Sequence, residues 1–101
     1  MIRVESKRSY SGEGVYVGRP SVLGNPFPMS DEKDRDAVIE KYRAWLRSEY
    51  CQKGSVYKAL VALADRYSKG EEIVLICWCA PKKCHADVIK EALIGIVERR
   101  V

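Results

Sequence analysis

The residues most able to do chemistry lie close together in the last third of the chain. Three of the four cysteines and the only histidine fall within nine consecutive positions, 77–85, which read CWCAPKKCH. Thiol and imidazole groups bind transition metals, act as nucleophiles and move protons near neutral pH. This density of reactive side chains predicts a site here, and it indicates the place of the site better than the reaction.

Zinc binding is one chemistry that fits this cluster. Its thiols and imidazole supply the ligand types and the ligand number of a zinc site. The four candidate ligands are Cys77, Cys79, Cys84 and His85. Their spacing departs from the common Cys-x2-Cys pairing, and two adjacent residues do not easily face one ion. Asp87, Cys51 or a water molecule is therefore an alternative for one ligand.

Covalent or acid–base catalysis is a second chemistry. Cys84 or Cys79 would attack as a thiolate, and His85 or Asp87 would move the proton. Cys84 precedes a predicted helix and follows two lysines, and both the helix dipole and the lysine charges favour a thiolate. The third alternative is structural, with buried thiols and a hydrogen-bonded histidine. The residues alone leave the three interpretations open.

A loop rich in glycine and proline, residues 18–28, is the second candidate segment. It reads GRPSVLGNPFP, and its three prolines fix the backbone, so the loop should be ordered. The candidate ligand-binding residues in it are Gly18, Arg19, Ser21, Gly24 and Asn25. Arg19 would bind an anionic or carbonyl group as a charged fork, and Ser21 and Asn25 would orient it. In the alternative interpretation the loop is a rigid connector, and Arg19 pairs with a carboxylate of the chain.

Hydrophobic periodicity predicts the elements that position these residues. The predicted strands are 1–7, 15–17 and 73–79. The predicted helices are 31–50, 56–67 and 86–100. Ser30 and Ser55 are predicted to cap the first two helices, and a turn is predicted at Pro81. Cys51, beyond the first helix, is expected to be a small buried hydrophobe.

These elements predict a small α/β sandwich of one domain, 1–101. Long helical crossovers join parallel strands, so the short sheet of about three strands should be largely parallel, with helices packed against it. In the central strand, 73–79, Cys77 and Cys79 would point to the same face. The carboxyl end of this strand meets the start of the last helix, where open α/β sheets place ligands. We therefore expect the Cys/His cluster to face the loop 18–28 there.

Composition limits the class of protein. With 101 residues, of which 47% are hydrophobic, the chain suffices for one core. A net charge of +4 and a pI of about 8.9 permit an anionic ligand without requiring nucleic acid. No apolar run reaches the roughly 18 to 20 residues of a membrane span. We expect a cytoplasmic protein without a membrane partner, whose cysteines bind metal or react rather than form disulfides.

Two blocks of this sequence resemble the signatures of a small family called domain of unknown function 4326, common in phage and bacterial genomes. The blocks are YVGRPSVLGNPF at 16–27 and CWCAPKKCHADVI at 77–89, and the helix VIEKYRAWL between them also fits. The family pattern carries over to Gly18, Arg19, Ser21, Gly24, Asn25, Pro26 and Phe27, and to Cys77, Trp78, Cys79, Pro81, Cys84, His85 and Asp87. The family brings no settled activity. Its phage setting implies, by analogy, work on nucleotides, modified bases or nucleic acid.

These observations together favour a small enzyme acting on a nucleotide, nucleoside or modified base. In this hypothesis the loop 18–28 binds the ligand, and the Cys/His cluster holds zinc or reacts directly. The alternative is a nonenzymatic, zinc-stabilised module that binds nucleic acid or a host protein. Its phosphate-facing surface would consist of Lys7, Arg8, Lys82, Lys83, Arg99 and Arg100. The oligomeric state stays open.

Overall fold

The computed structural model describes residues 1–79 and 82–99. Its strands are β1 (Ile2–Ser6), β2 (Val15–Tyr16) and β3 (Ile73–Cys77). Its helices are α1 (Arg35–Gln52), α2 (Ser55–Ser68) and α3 (His85–Arg99), and a 3-10 turn, Glu32–Asp34, precedes α1. The predicted α/β class is confirmed: three parallel strands form one sheet, and three helices accompany it.

The central strand β3 lies between β1 and β2, and it pairs in parallel with both. Ile2 is in register with Ile73 and Ser6 with Cys77, whereas Val15 is in register with Leu75. All three strands therefore run in one direction, and their carboxyl ends meet at one edge of the sheet. This edge precedes the loop 18–28 and the Cys/His cluster.

The core lies between the helices and one face of the sheet. Leu60 of α2, Ile89 and Leu93 of α3, and Leu75 of β3 are almost completely buried in one cluster. On the opposite face, the Arg3 guanidinium lies 5.9 Å from the centroid of the Tyr10 ring. The segment 7–14, which connects β1 to β2, therefore covers part of that face. Among the described residues, no helix has the length and apolar character needed to cross a bilayer.

The central strand is shorter than predicted. It ends at Cys77, so Cys79 lies beyond the strand and does not share its regular alternation. The physical reason is the length of its neighbours. β1 ends opposite Cys77, and the last bond on the β2 side runs from the Val17 N–H to the carbonyl oxygen of Ile76. Among the described residues, no strand is left to pair with Trp78 and Cys79. The turn predicted at Pro81 lies outside the described residues.

The helix caps also differ from the prediction. Asp31, not Ser30, caps the 3-10 turn, and its side chain accepts a hydrogen bond from the Lys33 N–H. Ser55 is the first residue of α2 rather than its cap, because Gly54 occupies the N-cap position. Cys51, expected in the core, is exposed in the last turn of α1.

Candidate functional site

A cleft of about 290 Å³ opens at the carboxyl edge of the sheet. Its walls come from the residues after β2, the residues after β3 and the first turns of α1 and α3. The polar side chains that line it are Arg19, Asn25, Arg35, Cys79, Lys83, Cys84 and His85. The aromatic side chains are Tyr16, Phe27 and Trp78. The Cys/His cluster and the loop 18–28 thus face one another across this cleft.

Two consecutive turns shape the first part of the loop. The Ser21 N–H donates to the carbonyl oxygen of Gly18 at 2.9 Å, and the Gly24 N–H donates to that of Ser21 at 2.9 Å. A Cβ on Gly24 would lie 3.0 Å from the Ser21 oxygen and 3.2 Å from the Arg19 Cα. Glycine therefore fits here, because the side chain of any other residue would press against the backbone of these turns. Ser21 and Gly24 do not line the cleft, and the buried Ser21 hydroxyl finds no partner among the described residues.

The second part of the loop is fixed by two side chains. The Asn25 Oδ1 accepts the Phe27 N–H at 2.9 Å, which leaves the Asn25 amide NH2 as a donor. The buried Tyr42 of α1 donates its hydroxyl hydrogen to the carbonyl oxygen of Leu23 at 2.7 Å. The loop is therefore an ordered wall of the cleft, as its prolines predicted.

Arg19 is the exposed cation of this wall. No carboxylate of residues 1–79 and 82–99 forms an ion pair with its guanidinium, so the internal pairing considered from the sequence is not observed. Its own carbonyl oxygen accepts the Tyr16 hydroxyl at 2.8 Å, which holds the backbone at this point. The side chain is left with its hydrogen-bond donors available to an anion.

His85 begins α3 and is held from the opposite wall. Its Nε2 lies 2.6 Å from the carbonyl oxygen of Val17, and since a carbonyl only accepts, Nε2 carries the hydrogen. The neutral ring therefore has its lone pair on Nδ1. Burial lowers the pKa of His85; the bond to Val17 opposes this effect, and the positive charge of Arg19 adds to it. The imidazole is neutral at pH 7 and able to accept a proton.

Two cysteines of the cluster form a buried pair. The Cys84 Sγ lies 3.2 Å from the Cys77 Sγ, at the junction of β3 and α3. The hydrogen bond to Cys77 and then burial raise the pKa of the Cys84 thiol. The thiolate expected from the helix dipole and the lysines is therefore not favoured, because a second sulfur and the apolar surroundings outweigh both.

Cys79 occupies a different environment. It is half-buried and lines the cleft. Hydrogen bonds to Glu32 and then to the Cys79 thiol raise the pKa of Arg35. Arg35 also donates from Nη1 to the carbonyl oxygen of Lys83 at 2.7 Å. Its Nε and Nη2 donate to the two oxygens of Glu32 at 2.8 and 2.6 Å. Arg35 thus ties Lys83 to the start of α1.

Asp87 caps α3 rather than lining the cleft. Its Oδ2 accepts the Cys84 N–H at 3.0 Å, and its own N–H donates to the carbonyl oxygen of Cys84 at 3.0 Å. This reciprocal pair satisfies groups that a helix start would otherwise leave without partners. The structure shows a positioning contact for Asp87 and no contact with the cleft.

Sequence reasoning gave no individual role to Trp78 and did not single out Arg35. The Trp78 side chain is 47% exposed, and its Nε1 donates to the Tyr16 hydroxyl at 3.0 Å. An aromatic residue directly after a buried strand was the signal for Trp78. Arg35 gave no comparable signal, because its partner Lys83 is 48 positions away.

The four predicted zinc ligands do not converge in this structure. Cys77 and Cys84 contact each other, Cys79 lines the cleft, and His85 engages Val17. Within the described ranges, no three His, Cys, Asp or Glu side chains form a group that could hold a metal ion. Zinc binding stays a prediction.

Comparison with known proteins places the chain in a family without assigning it an activity. Neither the curated proteins nor the solved structures include a significant match. A family model described as Domain of unknown function (DUF4326) matches residues 2–95, nearly the whole chain. The chain therefore belongs to the DUF4326 family.

Proposed function

We propose that the cleft binds a nucleotide, nucleoside or modified base and that the protein is an enzyme acting on this ligand. One observation carries the proposal: Arg19, which forms no ion pair within the described residues, the His85 imidazole and the exposed ring of Trp78 line the same cleft. These groups match the anionic, hydrogen-bonding and aromatic parts of a nucleotide.

The anionic end of the ligand would lie near Arg19. A guanidinium binds phosphate through two parallel hydrogen bonds. The first turns of α1 and α3 also line the cleft. The Asp87 carboxylate already caps the N-terminus of α3, and Glu32 and Asp34 precede α1, so Arg19 supplies the attraction for the anion.

The base would stack against the aromatic side of the cleft. Trp78 is fixed through its Nε1 to Tyr16, so its ring is held in one position. Such stacking contributes about 1 to 3 kcal/mol per base. The amide NH2 of Asn25 supplies a donor for a carbonyl group of the base. A volume of about 290 Å³ suits one base with its sugar and phosphate, and it is at the lower end of small-molecule sites.

The reactive groups would be His85 and Cys79. The His85 Nδ1 is suited to accept a proton from the ligand or from water. Cys79 lines the cleft and is partly exposed to solvent, whereas Cys84 is buried. Cys79 is therefore the better candidate for a nucleophile. Cys84 and Asp87 would then position the start of α3.

Calorimetric titration with nucleoside monophosphates, nucleosides and free bases tests the proposal. For Arg19→Ala we expect about tenfold weaker binding of monophosphates and little change for nucleosides, since a charge-assisted bond to phosphate is lost. Trp78→Ala should weaken both classes. Arg47→Ala, which removes an exposed arginine on α1 away from the cleft, is the matched control. If no ligand of these classes binds wild type, the proposal is wrong.

The nonenzymatic module is the second candidate, and turnover separates the two. Mass spectrometry of a bound ligand after incubation would show a changed ligand for an enzyme and an unchanged ligand for a module. The basic surface suggested from the sequence is divided in the structure. Arg99 lies about 20 Å along α3 from His85, and Arg100 is outside the described residues.

A further inference from the structure

The aromatic side of the cleft continues into a basic rim, which we define as Lys7, Arg8 and Arg19. The Lys7 N–H donates to the carbonyl oxygen of Cys77 at 2.7 Å, so the end of β1 lies beside the residues that lead to Trp78. The Lys7 Nζ lies 5.1 Å from the centroid of the Tyr16 ring. Basic and aromatic groups therefore alternate along this edge.

The charges around the cleft are unevenly paired. On the side of α1, the Lys82 Nζ lies 3.1 Å from Glu32 and the Lys83 Nζ lies 3.9 Å from Asp36. On the other side, all three residues of the basic rim are exposed, and no carboxylate of the described ranges forms an ion pair with them. The uncompensated positive charge is thus concentrated on the Trp78 side of the cleft.

A free mononucleotide would leave most of this rim unused. Its single phosphate needs one cationic partner, which Arg19 supplies from within the cleft. Lys7 and Arg8 follow the end of β1 outside it. A polyanion would use them, because each further phosphate of a strand can contact one further cation.

We propose that the ligand is a nucleotide within single-stranded nucleic acid: its base enters the cleft against Trp78, and neighbouring phosphates contact Lys7 and Arg8. This inference rests on the proposed function and specifies its substrate class. A base stacked in a duplex cannot reach a cleft of this kind unless it is unpaired or extruded. An aromatic platform with a basic track is the usual means by which proteins bind single strands.

Fluorescence anisotropy with labelled single-stranded oligonucleotides of about eight nucleotides, DNA and RNA, tests the inference across a range of NaCl concentrations. We expect wild type to bind the oligonucleotide at least about tenfold more tightly than the matching monophosphate. Binding should weaken steeply with salt. The double variant Lys7→Ala/Arg8→Ala should lose about tenfold in affinity and reduce the salt slope by about one to two.

The control is a double variant that loses the same positive charge away from the basic rim. Arg47→Ala/Lys58→Ala removes two exposed cations from α1 and α2, and it should leave the affinity and the slope unchanged. The inference is overturned if the two double variants behave alike, or if duplex binds as tightly as single strand. Monophosphate binding without tighter oligonucleotide binding overturns the inference and keeps the proposed function. Absence of binding to all probes overturns both.

Discussion

The His85 Nε2 donates a hydrogen bond of 2.6 Å to the carbonyl oxygen of Val17 and so joins the first residue of α3 to the residue that follows β2. This bond connects the two walls of the cleft. It also fixes which ring nitrogen carries the hydrogen, since a carbonyl cannot donate. The same ring makes a T-shaped contact with Tyr42 of α1, with ring centroids 5.1 Å apart. One imidazole therefore positions three elements.

The first prediction concerns the titration of this imidazole. Burial lowers the pKa of His85 below the usual value of about 6.5. Between the lowered pKa and about 6.5 the unfolded chain binds more protons than the folded one. The free energy of unfolding should therefore decrease as the pH falls below about 6.5 and rise as the pH increases through this range. The chain has one histidine, so its NMR signals can be assigned without ambiguity.

We expect the NMR titration to give a pKa below 6.5 and the hydrogen on Nε2. His85→Gln is the matched variant, because glutamine can donate to Val17 but does not titrate. Urea unfolding at pH 7.5 and 5.5 should show a larger loss of stability for wild type than for the variant. Equal losses would contradict the prediction.

The second prediction concerns the anchor of the loop 18–28. Tyr42→Phe removes the hydroxyl that donates to the Leu23 carbonyl and leaves that acceptor without this partner in a buried place. We expect a loss of about 1 to 2 kcal/mol in the free energy of unfolding, measured by urea denaturation. Tyr57→Phe, on α2 and away from the loop, should change it by less than about 0.5 kcal/mol. Similar values for both variants would show that the anchor contributes little.

The sequence predicted the elements well because their signals are local. An apolar run and regular spacing identified β3 and the three helices. The parallel sheet followed from the long helical connection to β3. The meeting of the Cys/His cluster with the loop 18–28 followed in turn from the parallel strands, since their carboxyl ends share one edge. These predictions required only the order of the strands and helices along the chain.

The details that failed depend on residues distant in sequence. β3 ends at Cys77 because its neighbours end there, so Cys79 leaves the strand and faces the cleft. The Cys84 thiol contacts Cys77, so the thiolate predicted from the neighbouring lysines is not favoured. Arg35 joins Lys83 across 48 positions, a relation that no local pattern indicates. Each of these features depends on which distant residue is the contact partner, and residue types in a local stretch do not indicate that partner.

The third prediction concerns Arg35 as the tie between α1 and the Cys/His segment. Arg35→Ala removes the bond to the Lys83 carbonyl and the pair with Glu32. We expect a loss of about 1 kcal/mol in the free energy of unfolding, mainly from the bond to Lys83 because Glu32 is exposed, and faster hydrogen exchange at 82–84. Hydrogen bonds from Arg35 and then Lys82 lower the pKa of Glu32 to about 2, so the effect should persist from pH 8 to pH 5.

Arg66→Ala is the control for this prediction. It removes an arginine of α2 whose Nε pairs with the exposed Glu71 at 3.1 Å, outside the cleft and the segment 82–84. Its effect on exchange at 82–84 should be absent. Equal exchange in wild type and Arg35→Ala would contradict the role of the tie.

The last prediction tests zinc. Two sulfurs bound tetrahedrally at about 2.3 Å from zinc are roughly 3.8 Å apart, so Cys77 and Cys84 would separate only slightly from their 3.2 Å contact. His85 could offer zinc its Nδ1 while Nε2 keeps the bond to Val17, but within the described residues it does not converge with the two sulfurs, which makes the thiols the better ligands. If zinc binds, native mass spectrometry of untagged protein should show about one ion per chain, lost in Cys84→Ser and kept in His85→Gln. Loss in both variants would place His85 among the ligands. A folded, metal-free wild type would contradict the hypothesis and leave the cysteines as a buried thiol pair.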